Sequence, residues 1–468
     1  MALTEREKCA HLLRRFGLGA SESEVNYYMQ GGLKGAIDKL VNCEATPEAY
    51  EFTWDIAVTD KGQLKPPLAV VAYTARIMMT RRPLLEKMTH FWHNHFATSA
   101  EKVTNGPLLV QQNEIFRRNA LGNFKTLLLE ASKDPAMLIW LDGQDNIKGR
   151  ANENFAREVM ELFTLGVGNY TEKDVQEAAR AFTGWSFVRA NGKDKYASAA
   201  YMFKPILHDE GSKTFMGKTG SFTGEQVIDI LCSNPHLAMF ITNKIWNWFV
   251  YPNPSPATLK PFVDDFIRSS LDIKTLIRSI VDSDEFYSER AYRKLIKNPL
   301  DFCLSTTRAM GIGESMSGRM ATVGVDEKAS RARIGPAAGV STAMKSQGMW
   351  LLYPPDVSGW KPGESWITSA TMVERISWAN KLMGISSSKG NLGKFPIYSI
   401  LAGDPSPMGI AQKLASMYDA PLTKAKMNTL AQAATQSLNG QELSQKNANA
   451  VAADVMRLIF GSPEFQFC

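Results

Sequence analysis

Helical periodicity is the feature that most constrains the fold of this chain. Apolar residues recur every three or four positions along most of it, and alternating runs long enough for strands are almost absent. The pattern predicts an all-α, multi-helix protein with long irregular loops. The predicted helices cover 68–97, 107–131, 152–165, 172–183, 224–233, 236–250, 258–269, 273–281, 296–310, 369–383, 407–417, 422–436 and 447–460.

Two stretches interrupt the helical pattern. Segment 184–222, rich in Gly, Lys, Ser and aromatic residues, predicts a small β-hairpin or a loop that covers an active site. Segment 311–340 is rich in small residues, and we expect a mobile crossing there. The chain thus divides into five regions of one compact unit: a helical region with His and Glu motifs (1–183), a lid insertion (184–222), a central helical region (223–310), a Gly- and Pro-rich functional loop region (311–368) and a C-terminal helical region (369–468).

Composition excludes several classes of protein. The net charge of +6 is spread along the chain, which disfavours a nucleic-acid partner. No stretch approaches the ~20 apolar residues of a membrane-spanning helix. The five cysteines form no C-x-x-C pair, which argues against a zinc site or a disulfide framework. The N-terminus enters charged sequence directly and lacks a signal-peptide core, so a cytoplasmic location is expected, or an extracytoplasmic one if the sequence is trimmed.

Half of the six histidines lie in the segment 86–96. On a helix, Glu86, His90 and His93 share one face, and His95 reaches the same ion as His93 if the helix ends near Asn94. Neutral imidazoles are common ligands of transition metals. We therefore predict that His93 and His95 bind a metal ion, with packing in an aromatic cluster as the alternative.

A second dense group of polar residues lies on a helix that is otherwise apolar. Glu158 and Glu161 lie one turn apart on it, and a buried carboxylate needs a cation or hydrogen-bond donors. We predict that both bind the same metal ion as the histidines, with Arg157 orienting a carboxylate. In the structural alternative, Arg157 simply pairs with Glu153 or Glu161.

A loop histidine offers a further group for catalysis. His208 stands beside Asp209 in the irregular segment, where packing gives fewer reasons for a histidine. We predict that His208 acts as a general acid or base, or as a ligand, and reaches the metal site from the loop. A plain turn is the rival interpretation. Convergence of His93, His95, Glu158 and Glu161 on one cavity is the central expectation.

Two functions from different classes fit these residues. The first is a metal-dependent enzyme that uses zinc, iron, manganese or copper, with hydrolysis favoured over oxygenation because it needs fewer unseen components. The second is a non-catalytic carbohydrate- or protein-binding protein with a structural polar core. Trp360 and Trp366, in a Pro- and Gly-rich loop, are its best candidates for exposed aromatic platforms.

Several long motifs run along the chain: Phe91-Trp92-His93-Asn94-His95-Phe96, Glu153 to Gly166, Tyr170-Thr171-Glu172, Ala181 to Trp185, His208-Asp209 with Lys213-Thr214-Phe215, and Pro355-Asp356-Val357 with Gly359-Trp360. In this order they resemble one known family, the bacterial domain-of-unknown-function 1800 proteins. The resemblance runs from about residue 10 to the end, and it implies an exported protein often found beside a sulfatase-like partner, although the absence of a signal peptide departs from that pattern. A carbohydrate or a sulfate or phosphate ester is an expected substrate.

Overall fold

The computed structural model describes residues 3–59, 61–189, 199–322, 334–387 and 397–468, and helices dominate it. The predicted all-α class is therefore confirmed. The helices are Glu5–Phe16, Glu22–Tyr28, Gly32–Val41, Pro66–Met79, Pro83–His95, Gly106–Arg118, Phe124–Lys133, Pro135–Trp140, Glu153–Glu161, Glu172–Ala181, Gly224–Cys232, Pro235–Phe249, Pro256–Arg268, Ile273–Val281, Pro299–Ala309, Ile312–Thr322, Gly335–Ser346, Ser369–Ser387, Ile397–Leu401, Pro407–Met417, Lys424–Leu438 and Ala448–Gly461.

The irregular segment after residue 183 forms two antiparallel hairpins. Strand Trp185–Arg189 pairs with Ala199–Phe203, and the intervening residues 190–198 lie outside the described part of the chain. Strand Lys213–Phe215 pairs with Lys218–Gly220. The hairpin predicted within 184–222 is therefore confirmed, and a second one follows it.

Local backbone chemistry divides two segments that periodicity alone reads as single helices. The predicted helix 68–97 is two helices, because the first ends at Met79 and Pro83 opens the second, where its missing N–H has no cost. The predicted helix 107–131 is interrupted by a turn, after which the Asn123 side chain accepts a hydrogen bond from the backbone N–H of Thr126. The apolar periodicity continues across both breaks because the helices on either side of each break are buried.

The mobile crossing expected over 311–340 was wrong in its described part. Helices Ile312–Thr322 and Gly335–Ser346 occupy the two ends, and residues 323–333 lie outside the described part. Small residues serve close packing here: a Cβ at Gly313 would overlap the carbonyl oxygen of Met78 in helix Pro66–Met79. A high content of Gly and Ala therefore marks a tight helix contact at this position.

Two hydrophobic clusters make up the core. One draws on the first three helices and most helices between residues 83 and 291, and the other on helix Pro66–Met79 and the helices after residue 299. All five cysteines are free thiols. Among the described residues, no helix is long and apolar enough to cross a bilayer.

The tight contact at Gly313 predicts a specific loss of stability. We expect Gly313→Ala to lower the free energy of unfolding by about 1–3 kcal/mol, the usual effect of overpacking, because the methyl group displaces the helix from the Met78 carbonyl. Gly318→Ala in the same helix is the matched control, since nothing lies within 4 Å of its added Cβ, and it should be neutral or slightly stabilising. Urea unfolding of both variants compares them, and equal effects would contradict the prediction.

Candidate functional site

Two of the sequence motifs meet at the C-terminal end of helix Pro83–His95. The backbone N–H of Trp360 donates a hydrogen bond to the side-chain oxygen of Asn94 at 2.6 Å. Gly359, with a φ of 77°, lies so close to Asn94 that a Cβ would overlap both of its oxygens. The Pro- and Gly-rich loop is thereby fixed onto the histidine helix.

His90 and His93 face the interior in an aromatic setting. The Trp360 ring lies 5.7 Å from each imidazole, centroid to centroid. Burial lowers the pKa of His90 to about 3 and that of His93 to about 4, so both rings are neutral at pH 7. Neither ring nitrogen of His90, and not Nε2 of His93, has a hydrogen-bond partner among the described residues.

His95 is held from both sides of its ring. Its Nε2 donates to the carbonyl oxygen of Phe163 at 3.1 Å, and the ammonium of Lys244 donates to its Nδ1 at 3.2 Å. Lys244 also donates to the carbonyl oxygen of Leu162. Burial lowers the pKa of Lys244 to about 8. The histidine and carboxylate motifs therefore do meet, but through backbone carbonyls just beyond helix Glu153–Glu161.

The carboxylates of that helix take different partners. Glu161 accepts a hydrogen bond from the Tyr170 hydroxyl at 2.6 Å, and Glu158 is half-buried, with its pKa raised by burial and by Glu161. Arg157 binds Glu172 through two hydrogen bonds and Glu153 through one. The hydrogen bonds of Arg157 thus match the structural alternative in part, through Glu153, and its role in orienting Glu158 or Glu161 stays a prediction.

His208 and Asp209 fasten the loop to helix Glu172–Ala181. The Nδ1 of His208 donates to the Thr183 carbonyl at 2.9 Å, and the Asp209 carboxylate binds Arg180 at 2.8 Å. Arg180 lowers the pKa of Asp209 to about 2. The Lys213 ammonium donates to the Asp209 and Gly211 carbonyls. These contacts match the plain-turn interpretation; the catalytic role stays a prediction.

The expected assembly of metal ligands has no counterpart in the described residues, which contain no group of three or more His, Cys, Asp or Glu side chains able to hold one ion. The metal-ligand roles of His93, His95, Glu158 and Glu161 stay predictions. The expected exposure of Trp360 and Trp366 was wrong, since they are only 4% and 6% exposed. Trp360 packs on the histidines, and Trp366 joins the second hydrophobic cluster.

The opposite end of helix Pro83–His95 supports a large open cleft. Glu86 is fully buried, and its carboxylate lies 2.6 Å from Nε of Arg117 and 3.3 Å from Nε of Arg76. Arg76 also binds Glu114 and the side chain of Asn113. These contacts fix two arginines, from helices Pro66–Met79 and Gly106–Arg118, at the base of the cleft.

The cleft has a volume of about 650 Å³, a size typical of ligand sites. One wall carries three half-buried aromatic rings, Tyr50, Phe52 and Trp54. The Arg76 guanidinium lies 4.9 Å from the Trp54 ring. The remaining lining residues are Pro47, Glu48, Glu51, Met79, Thr80, Arg82, Glu114 and Arg117, in addition to Arg76.

Glu114 is an ionised acceptor in this cleft. Burial raises the pKa of its carboxyl, but Arg76 and the hydrogen bond from Trp54 outweigh burial and lower it below the ordinary value. The Trp54 indole N–H donates to Glu114 at 2.8 Å. A carboxylate fixed in this way accepts hydrogen bonds at pH 7 and does not supply a proton.

Sequence reasoning did not identify the aromatic wall. Tyr50, Phe52 and Trp54 stand at alternate positions, a spacing that places side chains on one face of an extended segment. That short pattern was a usable signal, although it precedes a 3₁₀ helix, Trp54–Ala57, and not a strand. Glu114 and Arg117 lie three residues apart on one helix, a spacing that favours a mutual ion pair, but each binds a residue of another helix.

Comparison with known proteins identifies the family to which the chain belongs. The family described as "Protein of unknown function (DUF1800)" matches residues 11–467 of this chain. The chain belongs to the DUF1800 family. No curated protein and no solved structure matches it. The resemblance inferred from the motifs is confirmed, and the DUF1800 match covers both the histidine helix and the aromatic cleft.

The contact between two DUF1800 motifs predicts a steric effect at Gly359. Gly359→Ala and Gly363→Ala both place a side chain at positive φ, 77° and 85°, but only the first meets other atoms, those of Asn94. We expect Gly359→Ala to lower the free energy of unfolding by about 1–3 kcal/mol more than Gly363→Ala does, because the methyl group overlaps the Asn94 oxygens. It should also detach the loop from the helix. Urea unfolding and limited proteolysis compare the two variants, and equal stability would contradict the contact.

Proposed function

We propose that this protein binds a carbohydrate in the cleft walled by Tyr50, Phe52 and Trp54. The observation that carries the proposal is the set of aromatic rings beside fixed charged side chains in a cleft of about 650 Å³. Flat aromatic rings offer large apolar faces of the kind that cover the apolar face of a sugar ring. Their exposure differs from that of Trp360, which is buried.

The polar groups of the cleft suit neutral sugar hydroxyls. A hydroxyl both donates and accepts hydrogen bonds, and this cleft presents arginine donors beside the ionised acceptor Glu114. Arg82 and Arg117 extend the donor set, and Glu114 supplies an acceptor held in place by Trp54 and Arg76. Fixing these groups before a ligand arrives reduces the entropy lost on binding.

A second cavity favours a chain of sugars over a single sugar. A volume of about 440 Å³ adjoins the cleft and shares Pro47, Met79 and Thr80 with it. Two further tyrosines, Tyr27 and Tyr28, line this second cavity. Tyr27 is exposed, so an extended oligosaccharide bound in the cleft would find a further aromatic ring in the adjoining cavity.

The charge state of the cleft favours binding over glycoside hydrolysis. Hydrolysis of this kind uses a carboxylic acid whose pKa is raised so that it carries a proton near pH 7. Glu114 has the opposite property, because its pKa is lowered by Arg76 and Trp54 against the effect of burial. We therefore assign Glu114 to ligand positioning.

The test is a binding screen with an aromatic-deletion variant. Neutral oligosaccharides of glucose, xylose, mannose and N-acetylglucosamine are titrated into the protein by calorimetry. We expect one series to bind, and Trp54→Ala to weaken that binding about tenfold, since loss of one stacking face costs about 1.4 kcal/mol.

The matched control for this screen is Trp350→Ala. Trp350 is also half-buried but stacks on Tyr353 at 3.7 Å outside the cleft, so its removal should leave affinity unchanged. Circular dichroism establishes that both variants fold. Failure of every oligosaccharide to bind, or equal affinity of Trp54→Ala and wild type, would refute the proposal; binding of an extended peptide instead would reassign the cleft to a protein partner.

A metal-dependent hydrolase is the second candidate. It is favoured by the unpartnered Nε2 of His93 and both unpartnered nitrogens of His90, since buried polar atoms without partners often mark an absent ligand. A divalent ion of zinc, iron, manganese or copper would there supply Lewis acidity for hydrolysis. The full predicted set fits poorly, because both nitrogens of His95 already have protein partners.

Elemental analysis tests this second candidate directly. If a metal ion binds, protein purified without chelators or added metal should contain about one ion per chain, and His93→Ala should lose it because the ligand nitrogen is gone. His236→Ala is the matched control, since His236 is exposed. A metal content that is negligible in wild type, or unchanged in His93→Ala, would exclude this candidate.

A further inference from the structure

A cluster of buried cations lies apart from the cleft. Arg14, Arg15, Lys87 and Lys297 are each at most 5% exposed. They line two small cavities of about 20 and 30 Å³, which adjoin each other because both are lined by Arg14, Asp301 and Cys468. No residue of this cluster lines the aromatic cleft.

Two carboxylates, those of Asp301 and Asp419, face these cations. Asp301 lies 2.8 Å from the Lys87 ammonium. Asp419 lies 2.8 Å from Arg14 and 2.7 Å from Arg293. Arg15 and Lys297 have no carboxylate partner in the described residues. Arg15 instead donates to the Ala291 carbonyl and lies 3.9 Å from the Cys468 thiol, and the Lys297 ammonium lies 3.6 Å from the centre of the Phe465 ring.

Several N–H donors of the cluster also have no acceptor. Within the described part of the chain, the buried Nε and Nη2 of Arg14, the Nε of Arg15, and the Nε and Nη1 of Arg293 make no hydrogen bond. A buried donor left unpaired costs about 1–3 kcal/mol, and more when it is charged. Arg14 and Arg15 line the two cavities, whereas Arg293 lines neither. Among the described residues, the three unpaired donors of Arg14 and Arg15 face one unpaired acceptor, Asp301 Oδ1, and this excess of donors indicates a missing acceptor.

The positive excess persists when burial is taken into account. Burial lowers the pKa of Arg15 to about 10, which leaves it charged at pH 7. Burial lowers the pKa of Lys297 to about 7, so it is partly neutral. Arg14, Arg15, Lys87 and Arg293 still outnumber the two carboxylates, and uncompensated buried charge is strongly unfavourable.

We infer that the two cavities bind a small inorganic anion between Arg14, Arg15 and Lys297. Each cavity exceeds the ~10–15 Å³ needed for one water-sized occupant, which suits a halide, and both together suit a tetrahedral oxyanion. Arginine and lysine N–H groups form short, charge-assisted hydrogen bonds to such anions. The anion supplies negative charge and further acceptor atoms for the donors of Arg14 and Arg15, which outnumber the one unpaired acceptor of Asp301.

Thermal unfolding of the full chain tests this site. Sodium gluconate is replaced by sodium chloride at constant ionic strength, and sodium sulfate is used in a second series. We expect the melting temperature to rise with anion concentration, each tenfold increase above the dissociation constant adding about 1.4 kcal/mol. Lys297→Met should lose most of this dependence, whereas Lys260→Met, which removes an exposed lysine, should retain it.

The two series also identify the anion. A larger effect of chloride assigns a halide site, and a larger effect of sulfate, after subtraction of its effect on Lys297→Met, assigns an oxyanion site. If Lys297→Met does not fold, equilibrium dialysis of wild type with radiolabelled chloride and sulfate decides, and one bound ion per chain supports the inference. The inference is overturned if neither anion binds, or if the melting temperatures of Lys297→Met and Lys260→Met depend on the anions to the same extent. The buried charge would then be balanced within the chain.

Discussion

The fully buried carboxylate of Glu86 is the interaction on which the cleft depends. It accepts from Arg117 and lies against Arg76, and so joins three helices: Pro66–Met79, Pro83–His95 and Gly106–Arg118. Removal of one member of a buried ion pair typically costs 3–5 kcal/mol, because the remaining charge is left uncompensated. The positions of both arginines in the cleft therefore follow from one side chain on the histidine helix.

The motifs of the sequence serve as docking points within the fold. Asn94 holds the loop of Trp360, His95 binds the carbonyl of Phe163, and Asp209 binds Arg180. Each of these bonds joins segments distant in sequence. A pattern of polar residues inside apolar helices is what such docking requires, since a buried polar group must find a partner. A motif rich in polar residues can therefore serve to join distant segments of the chain as well as to carry out catalysis.

The helices were predictable from sequence because the apolar period of a helix is a local property. The break between Met79 and Pro83 was harder to predict, because both helices are buried and the apolar periodicity continues across it. The partners of the site residues were not predictable. Their spacing on one helix favours a pair between Glu114 and Arg117. In the fold, Glu114 binds Arg76 and Arg117 binds Glu86. Likewise, the Pro and Gly residues around Trp360 indicated a loop. They did not indicate that the Trp360 ring would pack against helix Pro83–His95.

The five free thiols have a consequence for the chemical behaviour of the protein. Burial raises the pKa of Cys9 and Cys43 to about 11, and that of Cys232 and Cys303 to about 12. The thiolate is the reactive form, so these four groups exchange poorly with disulfides and electrophiles at neutral pH. These four thiols therefore make the protein little sensitive to the redox potential around it. A single cysteine placed on the rim of the cleft would outcompete these four thiols for a label and report on occupancy.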